Sequence, residues 1–478
     1  MTGIPTLPPE TFGLRHPTAQ ELKALALELE PGELFWDSEL LARYGSDETE
    51  DYCFLPDAVC RPSSVESVQR LLAWAHARRV PVVPRGAGTG LSGGALPVCG
   101  GVVLSVERLN RIREVDRTNL CVIAEAGVIV GELQQRVAEL GLFYPPDPAS
   151  RDSCFLAGNL AEDSAGPRSL LYGTTRRWVL GLEIVTATGE RLQVGSKVRK
   201  DATGYSLVQL LIGSEGTLAV FTAATLRLIP LPRASLTLLV PFESLQGAAR
   251  AVEVILERHG NVAACELMER EALEAVHRLE PLPASLRGAE AVLFFELHGD
   301  TQDILLEIAQ DCEEQSRMLG STALFVATNP AEERRLWQVR RRVGEAVKAI
   351  GPYKEADTVV PRSRLVDLIG EARRVAARYG LRAVLYGHAG DGNLHVNILK
   401  GDHPPEEWNE RRDQAERELF EAVLSLGGRL TGEHGVGFTQ RGLLGLALSS
   451  AEIELQRQIK RVFDPHGILN PGKIFPTS

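Results

Sequence analysis

The stretch Leu385–Ile398 reads LYGHAGDGNLHVNI and sets two histidines, His388 and His395, on either side of a glycine-rich turn. The whole chain has only 10 histidines in 478 residues, so their pairing here invites a chemical explanation. Alternating apolar residues on both flanks predict strands, and Asp391-Gly392 is a hairpin turn signal. One histidine ends the first strand and the other opens the second, so their rings can converge across the loop. Imidazoles serve as metal ligands and proton carriers. Taken singly, each is as simply a polar residue at a hairpin mouth. A second chemical pair, Glu433-His434 in TGEHGVG, stands among Gly432, Gly435, Gly437 and Gly442. Such spacing suggests tight packing against a neighbour more than a solvated loop. The helix LWQVRRRVGEAVKA supplies Arg340, Arg341 and Arg342, with Lys354 shortly after. A guanidinium there would suit a carboxylate; a solvated basic face is the competing reading.

Glycines supply a third element. Gly88-Thr89-Gly90-Leu91-Ser92-Gly93 matches G-x-G-x-x-G. A dinucleotide fingerprint of that form must open a helix. Here Gly94, Pro97, Gly100 and Gly101 follow, and the next element reads as the strand VVLSV, so a nicotinamide-binding reading fails. The run is then either an anion nest of main-chain N–H groups or a plain glycine-rich turn. The long stretch YPPDPASRDSCFLAGNLAEDSAGPRSLLYGTT reads as irregular, and its small residues suit contact with a large flat ligand. KDATGYSLVQLLIGSEGTLAVFT has the same character at Gly213, Gly216 and Thr217.

These residues need elements to hold them. Residues 16–45 read as helical. SSVESVQRLLAWAHARR predicts a helix opened by a Ser63/Glu66 capping box, leading to the strand VPVVP. Short strands dominate residues 102–185, and TLRLIPLP closes the first domain. Beyond it, SLTLLVPF–helix–VAACELM and AVLFFELHG–helix–TALFVAT form two β-α-β units, which predict a ferredoxin-like sheet with helices on one face.

The length implies two or three domains. A net charge of −11 argues against nucleic-acid binding. No apolar run reaches bilayer length, and the first residues read as lacking a secretory signal. The seven cysteines are scattered, with no C-x-x-C pair for a cluster. A cytoplasmic chain is expected, with attachment to a membrane through a partner left open.

Six motifs stand in order: PVVPRGAGTGLSGGALP, GNLAEDSAGPRSLLYG, KDATGYSLVQLLIGSEGTLAVFT, GHAGDGNLH, TGEHGVG and FDPHGILNPGKIF. Together the chain from about Tyr52 resembles the FAD-linked oxidases of the vanillyl-alcohol oxidase type. The branch it resembles holds the glycolate oxidase flavin subunit and the D-lactate and D-2-hydroxyglutarate dehydrogenases. The resemblance implies an α+β chain: a two-lobed FAD-binding domain, a ferredoxin-like cap domain and a C-terminal helical segment returning to the flavin. The expected divisions are an N-terminal helical segment 1–50, FAD domain 51–232, cap 233–415 and C-terminal segment 416–478. By position, Pro84, Arg85, Gly86, Ala87, Gly88, Thr89, Gly90, Leu91, Ser92, Gly93 and Gly94 would hold the pyrophosphate. Gly158, Asn159, Gly166 and Gly173 would line the flavin, Gly216 and Val220 the adenine side, and Asn470 the ring edge. Ala95 follows Gly93-Gly94 where covalent relatives place a histidine, so the FAD is expected to be non-covalent. Three positions depart from the family: Ala157 (often Gly), Asp163 (often Asn) and Gly344 (a hydroxyl residue in some relatives).

The same resemblance makes His388, His395 and Glu433 the ligands of a divalent zinc, iron or manganese ion, a set consistent with metal chemistry. His434 becomes the base that takes the hydroxyl proton of a small 2-hydroxy acid, Arg340 the carboxylate clamp, and Lys354 a further catalytic cation. Hydride passes to flavin N5, and electrons leave to an iron–sulfur or cytochrome subunit. Two rivals are a metal-dependent hydrolase, which leaves the glycine nest unexplained, and a non-catalytic flavin-binding subunit.

Overall fold

The computed structural model describes residues 6–49, 52–327 and 329–476. It divides into two units: residues 1–165, 174–231 and 433–478, and residues 166–173 with 232–432. The expected limits at residues 1, 50, 51 and 478 lie outside the described residues.

In the first unit a short strand, Leu34–Phe35, begins a four-stranded sheet. It continues through β1 (Ala58–Cys60), β3 (Val102–Ser105) and β2 (Val82–Arg85). Helix α1 (Val65–Arg78) joins β1 to β2. Its cap is Ser64, whose hydroxyl accepts from Ser67 N, whereas Ser63 donates to Glu33. The N-cap is therefore one residue later than expected, and Glu66 does not complete a capping box there. A buried carboxylate competes for that hydroxyl, and the helix starts one position later. The next element after the glycine run is indeed strand β3, parallel to β2.

A five-stranded antiparallel sheet follows, built from β4 (Ile112–Asp116), β5 (Cys121–Glu125), β6 (Val179–Thr186), β7 (Arg191–Gly195) and β8 (Ala219–Arg227). Its order is β4-β5-β8-β6-β7. Between β5 and β6 lies helix α2 (Leu156–Glu162). The stretch read as irregular thus contains a helix, because Leu156 and Leu160 give it a buried face despite its small residues. The chain's end lies along β2: Val82 N donates to Ile468 O and Asn470 N to Val82 O. Phe438 packs edge-on to Phe54, with ring centroids 5.6 Å apart.

The second unit is organised by one seven-stranded sheet. Two strand–helix–strand units open it: β9 (Ala234–Phe242), α3 (Leu245–Arg258) and β10 (Val262–Glu269), then β11 (Ala291–Gly299), α5 (Gln302–Met318) and β12 (Phe325–Val326). Helix α4 (Arg270–Leu279) follows β10. Helices α6 (Pro330–Arg341) and α7 (Val343–Ile350) lead to β13 (Tyr353–Val359). Helix α8 (Leu365–Arg378), the hairpin β14 (Arg382–His388) and β15 (Asn393–Leu399), and helix α9 (Pro405–Ser425) complete it. The order is β12-β9-β11-β10-β14-β15-β13. Its first four strands have the ferredoxin-like arrangement, and the hairpin and β13 extend it.

Helices α3, α5, α8 and α9 pack along the sheet. The other face carries α4 and α7 through a core of Met268, Val292, Phe294, Val384, Leu273, Val276, Ala346 and Val347. Helices on both faces exceed the one-faced arrangement expected. Residue 415 lies inside α9, while the units part between Gly432 and Glu433.

Candidate active site

The first unit holds a cavity of roughly 1250 Å³, counting its open part. The wall includes Pro84, Arg85, Gly86, Ala87, Gly88, Thr89, Gly90, Leu91 and Gly94 from the loop after β2. Gly158 and Asn159 of α2, Gly216, Val220 and Asn470 line it too, as do Glu433 and His434. Four expected residues do not. Ser92 is buried with its carbonyl accepting from Phe438 N and Thr439 N, and a side chain at Gly93 would meet Leu96 and Phe438. The loop spends these two residues on the chain's end. Gly166 and Gly173 belong to the second unit.

The loop is conformationally demanding. Gly88 has φ +79°, and a Cβ there would lie 2.1 Å from Arg85 Nη2. The Arg85 guanidinium is itself held by Ser46 O at 2.8 Å and lies over the Tyr44 ring. Among the described residues, the N–H groups from Ala87 to Gly94 donate to no protein acceptor. Main-chain donors left together in this way form an anion cradle. Open space lies beyond Gly90 and Gly158, and the buried Asn159 Nδ2 also has no protein partner. These features fit a diphosphate carrying a large flat group.

Asn470 lines the cavity and also braces the loop. Its amide donates to Gly94 O and Glu215 O, and its oxygen accepts from Lys473 Nζ. Lys473 also donates to Gly94 O and Leu96 O. The pair fixes the loop's carbonyls from behind. Burial lowers the Lys473 ammonium to about 8 against the pull of nearby carboxylates.

The glycines of TGEHGVG have a steric cause. Glu215 accepts from Val436 N at 2.9 Å and Gly437 N at 2.6 Å. At Gly435, φ +80°, a Cβ would lie 2.4 Å from Glu162 Oε2; at Gly437 one would lie 2.1 Å from Ser92 O. Burial and the neighbouring Glu215 push the Glu162 carboxyl well above its ordinary range. Sequence reading missed Glu162 and Glu215, since their burial depends on segments far apart in the chain. Asp163, the departure noted above, caps α2 at φ +54° and accepts from Arg176 N and Nε.

In the second unit, strand register assembles a polar row. Glu266 on β10 lies diagonal to Glu296 on β11, and β10 pairs β14 so that Met268 faces Tyr386. Tyr386 faces His395, His388 faces Asn393, and His395 faces Asp357. Alternation therefore sets Glu296, Glu266, His388, His395, Glu355 and Asp357 on one face. The two histidine rings meet edge to face, centroids 5.4 Å apart, and offer nitrogens within 4.8 Å of each other.

Each member is held. His388 Nδ1 is 2.6 Å from Glu266 Oε1, and Arg340 reaches Glu266 Oε2 through Nε at 2.8 Å and Nη2 at 2.7 Å. Arg340 also lies 5.0 Å over the Tyr386 ring. Burial would raise the Glu266 carboxyl, but the His388 and Arg340 charges bring it down to about 2. His395 Nδ1 is 3.1 Å from Glu355 Oε1, close enough for an ion pair at an angle off the hydrogen-bond direction. Asp357 accepts from Asn393 Nδ2, Thr431 Oγ1 and Gly432 N. Glu433 follows Gly432 directly, so covalent continuity alone keeps it one residue from that anchor.

Lys354 is placed elsewhere. Strand alternation turns it to the opposite face of β13, where its Nζ is 3.5 Å from Glu416 on α9. The row-facing neighbour is Glu355. A shift of one residue on a strand reverses the side chain. At Gly344, a Cβ would lie 3.9 Å from the Tyr386 hydroxyl, which leaves room beside Arg340's stacking partner.

Two facing imidazoles beside a part-buried guanidinium, and a glycine-lined cradle that fits a diphosphate, suit a flavin-dependent oxidoreductase. Residues 56–195 match the family "FAD binding domain" and residues 231–474 match "FAD linked oxidases, C-terminal domain". The chain belongs to the FAD-linked oxidases. It is 37% identical over 435 residues to the glycolate oxidase subunit GlcD of Bacillus subtilis, covering 90% of this chain and 92% of that one. It is 32% identical over 454 residues to the D-lactate dehydrogenase of Anaerostipes hadrus, covering 94% and 95%. The fold is that of p-cresol methylhydroxylase, with TM-score 0.79, 19% identity, and coverage of 97% and 98%. It is the vanillyl-alcohol oxidase type expected above. Among the described residues no helix is long and apolar enough to cross a membrane.

Proposed function

We propose that this protein oxidises a small D-2-hydroxy acid to the 2-oxo acid, with glycolate and D-lactate as first candidates, and passes the electrons to a separate acceptor. The observation that carries the reading is the part-buried guanidinium of Arg340 held beside the His388–His395 pair. The relatives, one named a glycolate oxidase subunit and one a D-lactate dehydrogenase, support the substrate class. FAD, bound without a covalent link in the cavity lined by Pro84–Leu91, Gly158, Asn159, Gly216 and Val220, supplies the two-electron acceptor. His388, His395 and Glu433 would hold a zinc, iron or manganese ion, a Lewis acid toward the substrate hydroxyl.

The remaining work falls to side chains. Arg340 binds the substrate carboxylate; its Nε and Nη2 face Glu266, so the Nη1 side of the fork meets the substrate. That contact orients C2 and its hydrogen. His434 takes the hydroxyl proton on a ring nitrogen, and its Nε2 is 3.7 Å from Glu433 Oε1. The D hand rests on the relatives. The seven cysteines are free thiols, six of them buried, so electrons leave through a partner protein or a quinone-linked carrier.

The test is dye reduction by purified protein with glycolate, D-lactate and L-lactate, with D-2-hydroxyglutarate as the larger alternative. D-lactate is expected to be the faster lactate. Arg340→Ala should cost roughly 2–4 kcal/mol, on the order of 30- to 1,000-fold in kcat/KM. Equal rates with both lactates, or an indifferent Arg340→Ala, would refute the substrate placement. Acid precipitation should leave the yellow colour in the supernatant.

A further inference from the structure

Glu266 is fully buried in the middle of β10, where neighbouring positions hold Cys265, Leu267 and Met268. Packing does not call for a carboxylate there. A buried ion pair is commonly no better for stability than apolar residues of similar volume. Yet both oxygens of Glu266 are committed: Oε1 to His388 Nδ1 at 2.6 Å, and Oε2 to Arg340 at 2.7 and 2.8 Å. An ionised carboxylate only accepts, so His388 Nδ1 carries the hydrogen; in the neutral ring that metal ligation requires, Nε2 is then the nitrogen with the lone pair. The same carboxylate sets the heading of the guanidinium, whose face is closed by the Tyr386 ring.

We propose that Glu266 is a positioning residue that couples the cation site to the substrate clamp, so that metal affinity and carboxylate recognition are set by one group. This rests on the function proposed above. Fixing the outer nitrogen of a ligating histidine is a common way to set ring orientation and ligand basicity. The unusual element is that the other oxygen of the same carboxylate aims the anion-binding cation. Glu266→Gln cannot serve both partners. Its single carbonyl satisfies one, and its NH2 group faces the other donor. Either Arg340 turns away or His388 takes the opposite tautomer, with hydrogen on the nitrogen meant for metal.

The experiment uses full-length, FAD-loaded protein stripped of metal and titrated with zinc, alongside KM and kcat for D-lactate. In Glu266→Gln the zinc Kd should rise about 10- to 100-fold, with KM rising in the same variant and flavin content unchanged. Arg340, which ligates nothing, should still alter zinc affinity when changed to Ala, and this effect should vanish in the Glu266→Gln background. A merely structural glutamate would lower thermal stability without this non-additivity. If Glu266→Gln does not fold, Glu266→Asp replaces it, since the shorter stem cannot span both partners. His388→Ala separates the two claims. Retained zinc binding there overturns the proposed metal site itself. Zinc lost in His388→Ala, with Kd and KM in the Glu266 variant matching the parent, overturns the coupling alone.

Discussion

Asp357 offers a sharp test of how the second unit prepares the residue that follows it. The side chain is 1% exposed. Its Oδ1 accepts from Asn393 Nδ2 at 2.7 Å, and its Oδ2 from Thr431 Oγ1 at 2.7 Å and Gly432 N at 2.8 Å. Asp357→Ala removes all three. The Asn393 bond is buried, so its loss costs about 1–3 kcal/mol; the other two donors are nearer solvent and cost about 0.5–1.5 kcal/mol each. Asn393 keeps its second bond, to Thr358 O, which argues for the lower end. The sum is about 3 kcal/mol. For a unit of this size that lowers the melting temperature by about 6–12 °C. Circular dichroism melts of full-length protein measure it. The catalytic consequence should be selective: kcat/KM falls because Gly432, and with it Glu433, loses its anchor, while flavin content holds because the cavity is built by the other unit. A melting temperature unchanged within error, or flavin lost in step with activity, would refute this account of Asp357.

Three further outcomes follow from the same geometry. Glu296 is held down at about 2, because the Arg168 and His298 charges outweigh burial, which acts the other way. Its stabilising contribution is complete above about 4.5 and lost as pH falls from there toward 2; Glu296→Gln should flatten the melting-temperature profile over that window, and parallel profiles would count against it. Gly435→Ala meets both a positive φ and Glu162 at 2.4 Å, so the flavin-to-protein absorbance ratio should drop by well over half; an unchanged ratio shows that the loop accommodates a side chain. Lys354→Ala should keep kcat/KM within about threefold, since its partner is Glu416 on the far face; a drop of about a hundredfold would return it to the site.

Much of this was legible in the sequence where information is local. The His388–His395 hairpin follows from period-two alternation and an Asp-Gly turn, and the ferredoxin-like order from two strand–helix–strand units. The glycine run's failure as a helix opener was readable from Gly94, Pro97 and the strand that follows. What escaped depends on contacts between distant segments. Lys354 and Glu355 are adjacent, and only the pairing of β13 with β15 decides which of them faces His395. Asn470 lines the cavity, but the grip of its amide on Gly94 and Glu215 depends on segments far away in the chain. Glu266 and Glu296 carried a usable signal, since each is a carboxylate inside an apolar strand, and such a residue must find a partner.

The placement of those partners separates scaffold from site. The ferredoxin-like strands β9, β10, β11 and β12 close much of their core with leucine, valine and phenylalanine, including Leu239, Val292 and Phe294. The imidazoles and Asp357 stand instead on the added strands β14, β15 and β13. Glu266 lies on β10, the ferredoxin-like strand to which the extension is paired. At the centre of the ferredoxin-like strands the one member of the row, Glu296 on β11, needs Arg168 and His298 as partners. Beside the extension, the row can be satisfied by the hairpin's own side chains and by the Thr431-Gly432 segment. The strand that receives the extension is also the one that contributes the carboxylate joining Arg340 to His388.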